Sequence, residues 1–422
     1  MVLLLLATGF YWLERLTMRK EAAARNTELY ERGGEYDILF VGNSHMVNGI
    51  LPMELYAQYG IASYNMGRYG HYIPESYYAL EDALNYTTPK VVVIDVFMLG
   101  RSEKMRSDQT GINFSHTTMD SIPFSLRKIR AVLDLQQDRM YRKELLFPYS
   151  VYHNRWDELG AGDFRVEYST EKGAITNRRV AAYEETAAVE ADNGSVNNGE
   201  SSDTGVQYLE KITSMCQERG IAVVLVYLPF PLGNTDEVLM ADRAVDRELA
   251  ADFAEKHSLP FLDLIETQLW NPYTDFADKE HMNALGAQKM TKYLGRYLCD
   301  HYELTDRRTD ASFAAWKTDY DSYYEEKLAA LADEDDLKVY LMLCNDEDFT
   351  VTVAAAQEFL SENPGGSEET DMIVIEMLLQ GLETVGAAQE TEGIHIQVRD
   401  SGTGELLHEK VFIRETDFAE KE

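Results

Sequence analysis

Two short runs limit the fold more than any other feature: Lys90 to Phe97 (KVVVIDVF) and Ile221 to Pro229 (IAVVLVYLP), rich in Val and Ile and set between helical segments. A strand that is apolar on every residue, not on alternate ones, needs cover on both faces, and a parallel sheet wrapped by helices provides it. Weaker strands are read at Tyr36 to Val41 (YDILFV), Ala62 to Asn65 and Pro260 to Leu264 (PFLDL). Helices are expected at Pro74 to Asn85, Val206 to Arg219 and Asp236 to His257, with a last one beginning near Asn283. The alternation predicts an α/β domain over residues 33–304 with helices on both sheet faces. Active sites in such sheets lie at the carboxyl ends of the strands.

Between the third and fourth strands the connection runs from about residue 100 to 204, far beyond the usual roughly 2 to 6 residues. Its later part, from Glu184 (EETAAVEADNGSVNNGESSDTG), is acidic and rich in Gly, Ser and Asn, and is expected to be disordered. Its earlier part, FPYSVYHNRWDEL, is dense in aromatics and reads as a lid or substrate wall. Residues 305–422 form a second, accessory α/β unit: a Tyr-rich helix over Ala311 to Asp333, strands KVYLMLC and FTVTVAA, a helix over Asp371 to Leu382, and a hairpin with arms IHIQV and VFIRE.

Residues 1–32 read as a membrane anchor and connector. Val2 to Leu13 (VLLLLATGFYWL) is apolar throughout, Tyr11 and Trp12 suit a membrane interface, and Glu14 and Arg15 end the run. The run is shorter than the roughly 20 residues a spanning helix needs. A net charge of -34, from 73 acidic and 39 basic residues, repels phosphate backbones, so nucleic-acid binding is not expected. Arg127, Lys128, Arg130, Arg139, Arg142 and Lys143 form a local basic cluster, read as a solvated helix face. Cys216, Cys299 and Cys344 are too scattered for a disulfide framework or a zinc site.

The chemistry is read from two segments. Strand one ends in Gly42-Asn43-Ser44-His45 and runs into a helix, which sets a serine hydroxyl at the carboxyl edge of the sheet near helical N–H groups. A serine is a weak nucleophile until a base takes its proton. After the last strand, Asp278 and His281 stand three residues apart, a spacing that brings both side chains to one side of a turn. Each piece alone has a plainer reading, Ser44 as a helix N-cap and Asp278/His281 as a solvated loop. Asp275, Asp278, Glu280 and His281 crowd one loop, but such carboxylates are ordinarily solvated, and neither a metal nor another cofactor is expected.

The strand-G-N-S-H opening and the late D-x-x-H-M-N-x-x-G resemble blocks one and five of the SGNH/GDSL hydrolase superfamily, above all its divergent surface-polysaccharide branch. That branch includes the alginate O-acetylation proteins and the D-alanyl-lipoteichoic-acid transfer protein. The resemblance spans residues 36 to 301 and implies a flavodoxin-like sheet, a catalytic triad of Ser44, Asp278 and His281, and an oxyanion hole from the Ser44 and Gly67 amides. Asn43 stands where the family has Asp, and no G-x-N-D follows the third strand, so the third donor is unassigned; Asn113 is one option. His45, Arg68, His153, Arg155 and Trp156 are carried as substrate-binding candidates. The final unit faintly resembles the ILEI-type module.

The implied activity is that of a serine esterase or O-acyltransferase acting on a cell-surface glycan or a small acylated substrate. It would be extracytoplasmic, held to the membrane by its N-terminal helix, with a membrane-bound acyltransferase as a partner. The rival is a non-catalytic glycan-binding or assembly protein that keeps the same shell.

Overall fold

The computed structural model describes residues 1–18, 28–33, 35–105, 109–164, 168–181, 203–231, 237–355, 367–384 and 393–413. Most of the acidic stretch expected to be disordered lies outside them; its last residues, from Asp203, begin a helix.

The buried runs form five parallel strands: β1 (Ile38–Val41), β2 (Ser63–Asn65), β3 (Val91–Asp95), β4 (Ala222–Tyr227) and β5 (Phe261–Asp263). Their order is β2-β1-β3-β4-β5, the flavodoxin-like arrangement. Phe40 pairs with Val93, and Val93 with Val224, so the β-branched segments stack at the centre. Every residue of β1 and β3 is buried, which accounts for their apolar reading up to Asp95. At roughly 1.5 to 3 kcal/mol for each fully buried aliphatic side chain, these strands anchor the domain. Cover comes from helices packed in pairs, α3 (Pro52–Tyr59) with α11 (Ala284–His301), and α4 (Ile73–Ala83) with α9 (Asp203–Gln217). Helix α10 (Glu237–His257) lies against β4 and β5.

The short helix α2 (Ser44–Gly49) follows β1, where the strand order reverses between β1 and β3. The crevice there is where an open α/β sheet binds ligands.

The long connection after β3 is largely helical: α5 (Gln109–Met119), α6 (Leu126–Leu135), α7 (Arg139–Leu146), α8 (Tyr149–Tyr152) and two 3₁₀ turns, His153–Glu158 and Ala161–Phe164. The N-terminal helix α1 (Val2–Thr17) rests on α8 and these turns. No described helix is long and apolar enough to cross a membrane.

The C-terminal unit has a sheet of β6 (Phe349–Ala355), β7 (Glu383–Thr384), β8 (Ile394–Asp400) and β9 (Leu406–Phe412), in the order β7-β6-β8-β9. Helices α12 (Ala314–Asp333), α13 (Leu337–Cys344) and α14 (Ser367–Gln380) complete it. One expectation fails here: KVYLMLC is helix α13, not a strand. Asp336 caps it by accepting from the Lys338 and Val339 N–H groups, and Leu337, Tyr340, Leu341 and Cys344 are buried at helical spacing. The β-rich composition hid a 3.6-residue period. The second arm of the hairpin also starts earlier than VFIRE, at Leu406. Helix α12 joins the two units, burying Trp316 and Tyr323 in the first core and Leu331 in the second.

Candidate active site

Ser44 is the first residue of α2, and Asn43 is its N-cap, with Asn43 Oδ1 accepting the His45 N–H at 2.8 Å. An aspartate would cap as well, so the Asn in place of the family's Asp keeps the local fold. Among the described residues the Ser44 N–H has no partner within the protein, and the residue is half-buried at the carboxyl end of β1.

The Asp278 loop is a tight turn. Ala277 N–H donates to the His281 carbonyl at 2.8 Å, and Asp278 Oδ1 accepts from the Glu280 and His281 N–H groups at 2.8 and 2.7 Å. The turn brings His281 Nδ1 to 3.0 and 3.1 Å from the two Asp278 oxygens. An ionised carboxylate only accepts, so the proton is assigned to Nδ1 and the lone pair to Nε2. Partial burial raises the Asp278 carboxyl, but the His281 ring and the two amides outweigh it and hold the group down at about 2. His281 Nε2 is buried and has no hydrogen-bond partner among the described residues.

Asn283 explains the rest of the motif. It caps α11, accepting from Gly286 N–H at 3.1 Å, and its amide donates to the carbonyls of Thr274 and Phe276. A Cβ on Gly286 would come within 2.2 Å of the Asp275 carbonyl oxygen, so only glycine fits. The Asp275 side chain is fully buried against Lys289 Nζ.

The two segments, more than two hundred residues apart in sequence, meet. The His281 ring lies 5.8 Å from that of His45, next to Ser44, and 5.7 Å from that of Tyr69. Three residues absent from the sequence reading stitch the site. Asn48 donates to the Ser44 carbonyl at 2.9 Å and to the Tyr69 hydroxyl at 3.0 Å. Asn177 donates to Asn48 Oδ1 at 2.6 Å and to the Met282 carbonyl at 3.3 Å. The backbone around Asn177 also bonds both sides, through Ile175 N–H to the Val47 carbonyl and Ala284 N–H to the Asn177 carbonyl. No local pattern marks such residues, because their partners come from distant segments.

Several expected roles change. Gly67 N–H donates to Asn65 Oδ1 at 2.9 Å, so this amide is committed within the protein and does not stand open as an oxyanion donor. Arg68 is almost fully buried, with Nη1 donating to the Gly67 carbonyl, and its burial removes it from a substrate surface. His45 is buried and stacked on Phe97 with ring centroids 4.0 Å apart, which is a packing role. Burial, with the charges of His281 and Arg243, pushes its pKa well below the usual histidine range. Arg155 binds the end of α1, donating to the Thr17 and Met18 carbonyls, and also pairs with Glu158 and Asp163. His153 Nδ1 turns back on the Ser150 carbonyl and Trp156 is half exposed, so of the trio it is Arg155 that is held to the first helix. Asn113 is exposed on α5. After β3, the Met98 and Gly100 N–H groups donate to Asp246, which also pairs with Arg101.

Asn65 was also missed. It is fully buried, donates to the Met46 and Ile50 carbonyls at 2.8 Å each, and accepts from Gly67. Asn65→Ala strands the Ile50 carbonyl and the Gly67 N–H and removes one of the two bonds to the Met46 carbonyl, and should cost on the order of 3 kcal/mol, read as a shift in the denaturation midpoint. An unchanged midpoint would show that these groups find other partners.

Asp95 lies beneath Gly42, where an added Cβ would approach the Asp95 Cβ to 2.7 Å. Burial pushes its carboxyl up to about 7, against the opposing Phe97 N–H bond. Between about pH 4, the unfolded value, and about pH 7, the folded state keeps a proton that the unfolded chain has lost, so stability falls as pH rises through that window. Asp95→Asn should therefore gain on the wild type as pH is raised across it. A difference that stays constant with pH would mean that Asp95 does not titrate there.

No protein family matches the chain by sequence, and no curated relative does. Two solved structures are similar to it in part. One, described as a candidate acylhydrolase of Bacteroides fragilis, is 13% identical with a TM-score of 0.33, over 67% of this chain and 97% of that one. The other, a GDSL-like lipase of Bacteroides thetaiotaomicron, is 11% identical with a TM-score of 0.32, over 64% and 90%. At these scores the likeness is too distant to bear on the chemistry.

Proposed function

We propose that the chain is a serine-dependent esterase or O-acyltransferase of the SGNH type, in which Ser44 carries the acyl group. The observation that supports this best is the His281 imidazole: Nδ1 is held by Asp278, Nε2 is buried without a partner among the described residues, and the ring lies beside that of His45, next to Ser44. In this reading Nε2 takes the Ser44 hydroxyl proton as Oγ adds to the ester carbonyl. The same proton then passes to the departing alkoxide as the C–O bond breaks, leaving acyl-Ser44. Water or a sugar hydroxyl next gives its proton to Nε2 and attacks the acyl carbon, and Ser44 regains its proton as it leaves. Asp278 holds the tautomer and stabilises the imidazolium.

The acceptor is assigned to a cell-surface glycan on the resemblance of the G-N-S-H and D-x-x-H-M-N blocks. With it go an extracytoplasmic, membrane-tethered location and a membrane-bound acyltransferase as partner.

A glycan-binding role without catalysis has one observation in its favour: the Gly67, Met98 and Gly100 amides are already taken, which leaves the Ser44 N–H as the donor at hand. Labelling with a serine-reactive fluorophosphonate separates the two. The enzyme labels, and Ser44→Ala and His281→Ala do not; a folded wild type that never labels is a binder.

A further inference from the structure

The exposed large apolar side chains gather on α1 and the insertion. Phe124, at the start of α6, meets Phe147 at the end of α7, with ring centroids 6.1 Å apart. Two residues on, Tyr149 meets Phe10 of α1 at 5.8 Å. The apolar surface is thus continuous from the insertion to the first helix, and Trp12 is 64% exposed on the latter. Helix α7 adds charge to this face. Arg139, Lys143 and Phe147 follow one another at four-residue spacing, with exposed Met140 beside them. Arg127 and Arg130 are neutralised by Asp82 and Glu81, whereas Arg139 and Lys143 make no ion pair among the described residues.

We propose that this face, α1 together with α6 to α8, lies on an anionic lipid bilayer. Apolar side chains beside unpaired cations are the signature of an interfacial helix, in which the apolar side enters the headgroup layer and the cations meet lipid phosphates. The net charge of -34 does not forbid this, because charges more than about 8 to 10 Å away are screened at physiological salt. A second copy fits less well, since a two-fold contact at this face would set Arg139 and Lys143 near their own images. Contact by the insertion as well as α1 would also fix the molecule's orientation on the membrane, beyond what a tether does. The inference does not depend on the hydrolase reading.

The test is sedimentation of the full chain with vesicles of phosphatidylcholine, with and without phosphatidylglycerol. The wild type should favour the anionic vesicles. Arg139→Glu/Lys143→Glu should weaken that binding about ten-fold or more, and Met140→Asp/Phe147→Asp should weaken it on both vesicle types. Hydrolysis of a soluble ester, if the chain has that activity, should be unchanged in Arg139→Glu/Lys143→Glu, so failure here is distinct from failure of the active-site reading. Undiminished binding in the variants would leave α1 alone as the contact and overturn the proposal. So would absence of vesicle binding, or a wild-type dimer in light scattering that the variants break.

Discussion

Ser44→Ala is expected to lower ester hydrolysis by roughly 10⁴-fold or more, the scale of loss when a triad serine is removed from other hydrolases. The reason is specific to the arrangement around His281. Its Nε2 is buried without a partner among the described residues, and the ring lies 5.8 Å from that of His45, the residue after Ser44, so in the proposed mechanism Ser44 is the hydroxyl within its reach. His281→Ala should lose about as much, and the double variant no more than either, because the two act as one unit. Asp278→Asn should lose less than either: its side chain is 46% exposed, so water takes over part of its work of stabilising the imidazolium. Thermal stability of each variant, measured alongside, separates chemistry from folding. Activity of Ser44→Ala within ten-fold of wild type would remove Ser44 from the mechanism.

The second large effect is on stability and concerns the joint between the two units. Lys327, on α12, places Nζ 3.0 Å from Glu54 on α3, 2.6 Å from Asp346 and 2.8 Å from Asp348, just before β6. Tyr323 donates to Glu54 at 3.0 Å, and Gln288 to Asp346. Burial works against charge on both partners. It raises Glu54 even beside Lys327, while the surrounding carboxylates hold the ammonium well above the ordinary lysine range. The three carboxylates are close enough to suggest a cation site, and the ammonium is that cation.

Lys327→Ala leaves three carboxylates crowded in a site with little water, a loss on the order of 3 to 5 kcal/mol. Because Glu54 belongs to the first unit and Asp346 and Asp348 to the second, the C-terminal unit should unfold at lower denaturant than the sheet domain in this variant. Calorimetry or denaturation followed by two probes would show the split. Lys327→Met combined with Glu54→Gln should cost less than the two single changes added together, since they share one interaction. A single unshifted transition in Lys327→Ala would show that the cluster contributes nothing to holding the units together.

The local sequence carried the sheet well, because full burial on both faces imposes continuous β-branched runs that periodicity detects. It misread KVYLMLC, where composition favoured a strand and only the spacing of Leu337, Tyr340, Leu341 and Cys344, with Asp336 in front, marked a helix. The roles of Arg68 and Arg155 were also beyond its reach. An arginine reads the same in sequence whether it is buried against a backbone carbonyl or open to a substrate.

The sequence by itself determined the parallel sheet, the serine at the turn after its first strand, and the pairing of Asp278 with His281 three residues later, since each follows from short-range pattern and turn geometry. Only the tertiary structure decided that the His281 ring lies beside the Ser44 turn, that Asn48 and Asn177 link their segments, that Gly67 N–H is spent on Asn65, and that Lys327 ties the units. These contacts join residues whose separation along the chain leaves no periodic trace, and their partners are chosen by how buried polar groups must be satisfied once the chain has folded.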